Sequence, residues 1–142
     1  MGLFVYGLIS ILAAIAIPAY QDYIAKSQVS EAFTLADGLK TTIATNRQNG
    51  SCFDNKTSAT AGVEVLTGKY GTATVLEEKP KGTVGLICGI HYKFNASGVS
   101  DLLTNKEIVL KLDETSGTLK LDTVASKTST SDVKKYLPSA FK

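Results

Sequence analysis

The chain of 142 residues contains no tryptophan, a single histidine, two cysteines, three prolines and one methionine. The one histidine, His91, has no Ser, Cys or Asp constellation near it in the sequence and reads as a surface or packing residue. No GxGxxG or P-loop pattern occurs, so a phosphate cradle is absent. The cysteines lie too far apart for a CxxC redox pair and have no further ligands around them. A formal net charge of +2 excludes a whole-chain electrostatic footprint for nucleic acid. The acidic residues Asp113 and Glu114 are too sparse for a calcium loop. These absences leave no catalytic residue, no metal site, no cofactor and no small-molecule substrate to expect.

The sharpest absence is local. From Met1 to Gln21 there is no Asp, Glu, Lys or Arg, and all 15 basic and 13 acidic residues lie between Asp22 and Lys142. What fills that stretch is MGLFVYGLISILAAIAIPAYQ, nearly all aliphatic or small between Leu3 and Ala19. About 20 residues of helix span roughly 30 Å, the hydrocarbon thickness of a bilayer. A cleaved signal peptide would carry Lys or Arg before the apolar run, and none is present here. The stretch therefore reads as a membrane span or an apolar packing helix. Ala13, Ala14, Ala16 and Ala19 allow close helix approach. Pro18 removes one backbone hydrogen bond, so it either opens the helix locally or ends it.

Beyond Pro18 the helical pattern continues in amphipathic form. Tyr20, Ile24, Ala32, Phe33, Ala36, Leu39 and Ile43 suit one face, with Asp22, Lys26, Gln28, Glu31, Lys40 and Arg47 elsewhere. Asn49–Gly50 reads as the stop. A helix from near residue 2 to about residue 48 would be roughly 70 Å long. A small domain can use only half of it, so the other half is expected to project into a membrane or a bundle of helices.

After Gly50 the period switches to two. Leu86, Cys88, Ile90, Tyr92 and Phe94 share one strand face, Ile108, Leu110 and Leu112 another, and Leu119 and Leu121 a third. Asp113–Gly117 supplies a hairpin loop. Val63–Leu66 and Tyr70–Leu76 are weaker candidates. The expected fold is α+β, an antiparallel meander of about four strands covered on one face by the amphipathic half-helix. The expected organisation is an apolar helix over 1–21, an amphipathic helix over 22–50, an irregular crossover over 51–82, and a sheet with a C-terminal loop over 83–142. Ser126–Asp132 reads as an exposed loop, and the acid pairs Glu77–Glu78 and Asp113–Glu114 as solvated. Two N-glycosylation sequons, at Asn55 and Asn95, are too short to weigh.

Two cysteines in a chain with an export-type N-terminus point to an oxidising compartment and one disulfide, Cys52–Cys88, with two buried free thiols as the alternative. Closing a loop of about 37 residues contributes roughly 4 kcal/mol in the chain-entropy model. Lys127, Lys134, Lys135 and Lys142 make the C-terminal end modestly basic, without the aromatic interleaving that DNA binding would want.

The segment ILAAIAIPAYQDYIAKSQVSEA, Ile11–Ala32, resembles the N-terminal helix of type IV pilins. FTLADGLK (Phe33–Lys40), the cysteine after the helix and KYLP (Lys135–Pro138) extend the likeness to bacterial type IVa pilins. The resemblance implies a pilin fold and a structural subunit of a surface filament. In it Leu3, Phe4, Val5, Leu8, Ile9, Ile11, Leu12, Ala13, Ala14, Ile15, Ala16 and Ile17 would pack the filament core after first lying in the inner membrane. It further implies a helix that melts near Pro18, over Ala14–Ala19, on assembly. The implied partners are identical subunits, the inner membrane and the pilus assembly machinery, with phage, a host surface or DNA as further contacts. A minor pilin, a type II secretion pseudopilin and a membrane-anchored binding module are the alternative readings.

The chain departs from the family pattern at both ends. The family's leader and its methylated Phe have no counterpart here. Aligned on Pro18, that Phe would precede Met1, and the family's near-terminal glutamate would fall at Met1. Either the N-terminus lies upstream or the packing contacts differ. Many related pilins also close a C-terminal loop with a second disulfide. Leu121 and Phe141 occupy the places of those cysteines, and an apolar clasp between them is expected instead.

Overall fold

Ala25, Val29, Ala32, Phe33, Ala36, Leu39 and Ile43 recur every three or four residues, which sets them along one helical face. All seven are buried, and they belong to helix α1, Gly2–Arg47. The computed structural model describes residues 2–141, with side chains from Tyr20 onward. The helix continues without a break past Pro18, so the proline does not end it. Beyond Arg47, tight turns close the helix, with the Gly50 N–H donating to the Arg47 carbonyl and Gly50 at φ +82°. A left-handed residue is the ordinary way to stop a helix, and glycine adopts it without a Cβ clash.

Five strands follow in sequence order: β1 (Val65–Thr67), β2 (Gly71–Glu78), β3 (Ile87–Phe94), β4 (Glu107–Asp113) and β5 (Thr118–Leu121). Every neighbouring pair is antiparallel, and the sheet order is the chain order. This is the expected α+β meander with one strand more than expected. Region 51–82, expected as an irregular crossover with Val63–Leu66 and Tyr70–Leu76 as weaker strand candidates, supplies both β1 and β2. Cys88, Ile90, Tyr92 and Phe94 of β3 and Ile108, Leu110 and Leu112 of β4 are buried and form the core with the helix face.

The other sheet face is covered by the chain beyond β5. Only residues 110–113 of β4 pair with β5. Further along the same edge, the Ser129 hydroxyl accepts from the Val109 N–H at 2.8 Å and the Thr130 hydroxyl from the Glu107 N–H at 3.0 Å. The Thr130 N–H donates to the Glu107 carbonyl at 2.9 Å. Side-chain hydroxyls thus satisfy an exposed strand edge that would otherwise template association. Ser126–Asp132, expected as a solvated loop, is in part an edge cover. Val124, fully buried, sits over Gly89, where a Cβ would come within 2.6 Å of the Leu110 carbonyl and 2.8 Å of Val124 Cγ2. Two short 3-10 turns, Ser131–Tyr136 and Ser139–Phe141, complete the fold.

Candidate functional site

The exposed side of α1 and the parts of the head that grip the helix carry the candidate function. Tyr20 and Tyr23 are 65% and 70% exposed, two large aromatic rings standing off the helix where the core face begins. Three polar contacts seat the head. The Ser100 N–H donates to Gln28 Oε1 at 2.8 Å, and Gln28 is itself buried. The Lys69 N–H donates to Glu31 Oε1 at 2.6 Å, and Asn46 Nδ2 to the Cys52 carbonyl at 3.1 Å. Each satisfies a loop backbone group from the helix, so the loops after β1, after β3 and after α1 are all registered on one rod.

At the C-terminal end of α1 lies the densest polar cluster. Cys52 and Cys88 form the expected disulfide, with both residues fully buried. Glu77 Oε1 accepts from the Cys52 N–H and the Ser51 hydroxyl. Arg47 donates through Nη1 to the Leu86 carbonyl at 3.2 Å and to Cys88 Sγ at 3.3 Å, and its Nη2 pairs with Glu114. The β3–β4 pairing ends at Gly89 with Lys111, so the two strands part beyond it. The cleft between them measures about 530 Å³ and is lined by Val84–Ile87 and Lys111–Glu114. Arg47 bridges the two sides of this split. Glu77, Glu78 and Glu114 were expected as solvated acids. Glu78 and Glu114 are indeed exposed, though Glu78 accepts from the Ala125 N–H and Glu114 pairs with Arg47, whereas Glu77 is half-buried and holds the cysteine loop.

His91 sits on the sheet face away from the helix, 2.9 Å from Glu107. That hydrogen bond holds the Glu107 carboxyl below its ordinary value. The Tyr92 hydroxyl and one Glu64 carboxylate oxygen are buried without a partner, and burial, with Glu31 nearby, pushes the Tyr92 ionisation strongly upward. No group of three or more metal-ligating side chains exists among the described residues. The Asn55 side-chain Oδ1 closes an exposed turn by accepting from the Thr57 and Ser58 N–H groups, while Asn95 Nδ2 donates to the Lys69 carbonyl.

The predicted filament-core side chains, Leu3 through Ile17, and the side chain of Pro18 lie outside the described residues. Among the described residues no helix is long and apolar enough to cross a membrane, a finding that does not reach that run. Of the C-terminal pair, Leu121 and Phe141 both pack on the core, and the aromatic partner of Phe141 is Phe33 of the helix. The Arg47 cluster had no sequence signal beyond a basic residue in a last helical turn.

Comparison with known proteins points one way. A family model described as pilin (bacterial filament) matches residues 25–142. A fimbrial protein of Moraxella nonliquefaciens is 66% identical over 139 residues, 97% of this chain and 90% of that protein. A type IV major fimbrial protein FimA of Dichelobacter nodosus is 44% identical over 117 residues, 75% of this chain and 73% of that one.

Proposed function

We propose a function from one premise: this chain belongs to the pilin family of bacterial filaments. It is a structural subunit of a type IV pilus, not an enzyme, and it acts by polymerising with identical copies into a surface filament. The observation that carries this reading is a 46-residue helix whose second half seats an antiparallel head and whose first part, up to Gln21, bears no charge. Burying Leu3–Ile17 among neighbouring helices is the assembly step. The same surface holds the subunit in the inner membrane beforehand, where the assembly machinery collects it. Local opening at Ala14–Ala19 around Pro18 accompanies that transfer, and unbroken helical hydrogen bonding through Pro18 in a filament map would rule it out. Phage, host surfaces and DNA are contacts of the finished filament.

Sheared surface filaments supply the test. This chain should be their principal protein, and a strain lacking it should show none by electron microscopy. Filaments unchanged in that strain would refute the assignment. A lysine at Ile11 should abolish assembly while leaving the head folded.

A further inference from the structure

The side of α1 turned away from the head continues the helix face of Tyr20 and Tyr23. Ser27, Ser30, Thr34, Gly38, Thr41 and Thr45 recur along it every three or four residues, and all are exposed. No charge falls on this line, which Lys26 and Asp37 flank. Its hydroxyls are spent on the helix itself. Ser27 donates to the Ile24 carbonyl at 2.8 Å, Ser30 to Lys26 and Thr34 to Ser30 at 3.1 Å, and Thr45 to Thr41 at 3.2 Å. Such a face can be covered by apolar side chains without stranding these donors. At its upper end a groove of about 420 Å³ opens between the helix and the β4–β5 hairpin, lined by Lys40, Ala44, Arg47, Leu112, Asp113 and Glu114. That set suits a phenol, with Ala44 and Leu112 for the ring, a cation for its face and a carboxylate for its hydroxyl.

We propose that a second copy of this chain occupies both, its uncharged run lying along the Ser27–Thr45 face and its Tyr20 and Tyr23 rings entering the groove. The proposal rests on the filament reading above, and lengths carry it further. Ser27 to Thr45 covers about 27 Å of helix, and the uncharged run Met1–Gln21 about 30 Å. The head grips α1 from Ala25 to Arg47. A parallel copy therefore clears the head below it only after moving up about 24 residues, roughly 36 Å. That shift sets its Tyr20 level with Ala44 and its Tyr23 level with Arg47. Heads are too broad to enter a bundle of helices, so they stay outside and the hydroxyl face turns inward, toward the run of the copy above. The contact joins the lower end of one copy to the upper end of another, so it repeats without closing.

Filaments sheared from cells carrying full-length variants supply the test, with the wild type run beside them. No filaments from the wild type would overturn the filament reading and this proposal with it. Where the wild type assembles, the remaining outcomes bear on the proposal alone. Thr34→Asp sets a carboxylate against an apolar run and should weaken each contact about a hundredfold. Its filaments should be lost while the subunit keeps native circular dichroism in detergent micelles. Thr34→Val, which keeps the shape and removes the hydroxyl, should assemble as the wild type does. Normal filaments from Thr34→Asp, or none from a folded Thr34→Val, overturn the proposal. Should Thr34→Asp fail to fold, paired cysteines decide. Filaments of Tyr20→Cys with Ala44→Cys, mildly oxidised, should run as a ladder of linked subunits without reductant. Tyr20→Cys with Val63→Cys, whose second site is exposed on the head, should run as monomer. Equal ladders from the two pairs, or none from the first, overturn it.

Discussion

The ring of Phe141 lies 4.1 Å, centroid to centroid, from the ring of Phe33, so the C-terminal turn is fastened to the middle of the helix without a covalent link. Phe141→Ser should cost about 1–2 kcal/mol, from the lost aromatic contact and part of its buried area. Urea unfolding and protease cleavage after Pro138 would read it. The double-mutant coupling with Phe33→Ala should be about 1 kcal/mol. Coupling of about 0.5 kcal/mol or more with Leu121→Ala would keep Leu121 in the clasp, and none would remove it.

Gly89→Ala drives a methyl group toward the Leu110 carbonyl and Val124. Overpacking at such a site costs about 1–3 kcal/mol. Adding Val124→Ala should recover only part of that loss, because the carbonyl contact remains. Full recovery would show that the backbone there is free to move.

Glu107 is a carboxyl whose folded pKa is depressed, chiefly by the hydrogen bond with His91. Such a group stabilises the fold fully above its ordinary value of 4.5 and loses that contribution as pH falls through the lower folded value. Glu107→Gln should be less stable than wild type near pH 7 by about 0.5–1.5 kcal/mol. The two should converge as pH drops below 4.5. Thermal melts from neutral to acid pH that stay parallel would contradict this.

Ala125 and Ser126 turn the Val124–Lys127 hairpin at φ +51° and +65°, a conformation costly for residues with a Cβ. Ala125→Asn and Ser126→Gly should each stabilise by about 0.5–1 kcal/mol, seen as a higher urea midpoint with unchanged slope.

The helix face from Ala32 onward and strands β3 to β5 were legible because their inward positions carry apolar residues at the right period. Nearer Pro18 the face was misplaced, since Tyr20, read as on it, is exposed and Gln28, read as off it, is buried. Strand β2 (Gly71–Glu78) registered only as the weaker candidate Tyr70–Leu76, and Tyr92 is part of the reason. A Cβ on Gly71 would come within 2.8 Å of the Tyr92 ring, so β2 faces inward with Gly71 and Ala73, whose alternation registers weakly as hydrophobic. Ser129 and Thr130 were misread for a related cause. Hydroxyls that complete a strand edge look no different in sequence from hydroxyls in water. Arg47 and Glu114 were invisible as a pair because they meet only where β3 and β4 part.

The disulfide just past the helix end has a mechanical consequence. A pull along α1 would, without it, first load the turn at Gln48–Gly50 and the loop beyond. Cys52 instead passes the load through a covalent bond into Cys88, near one end of an interior strand flanked by β2 and β4. The helix and the sheet then share tension through a covalent tether, so the loop beyond Cys52 is spared.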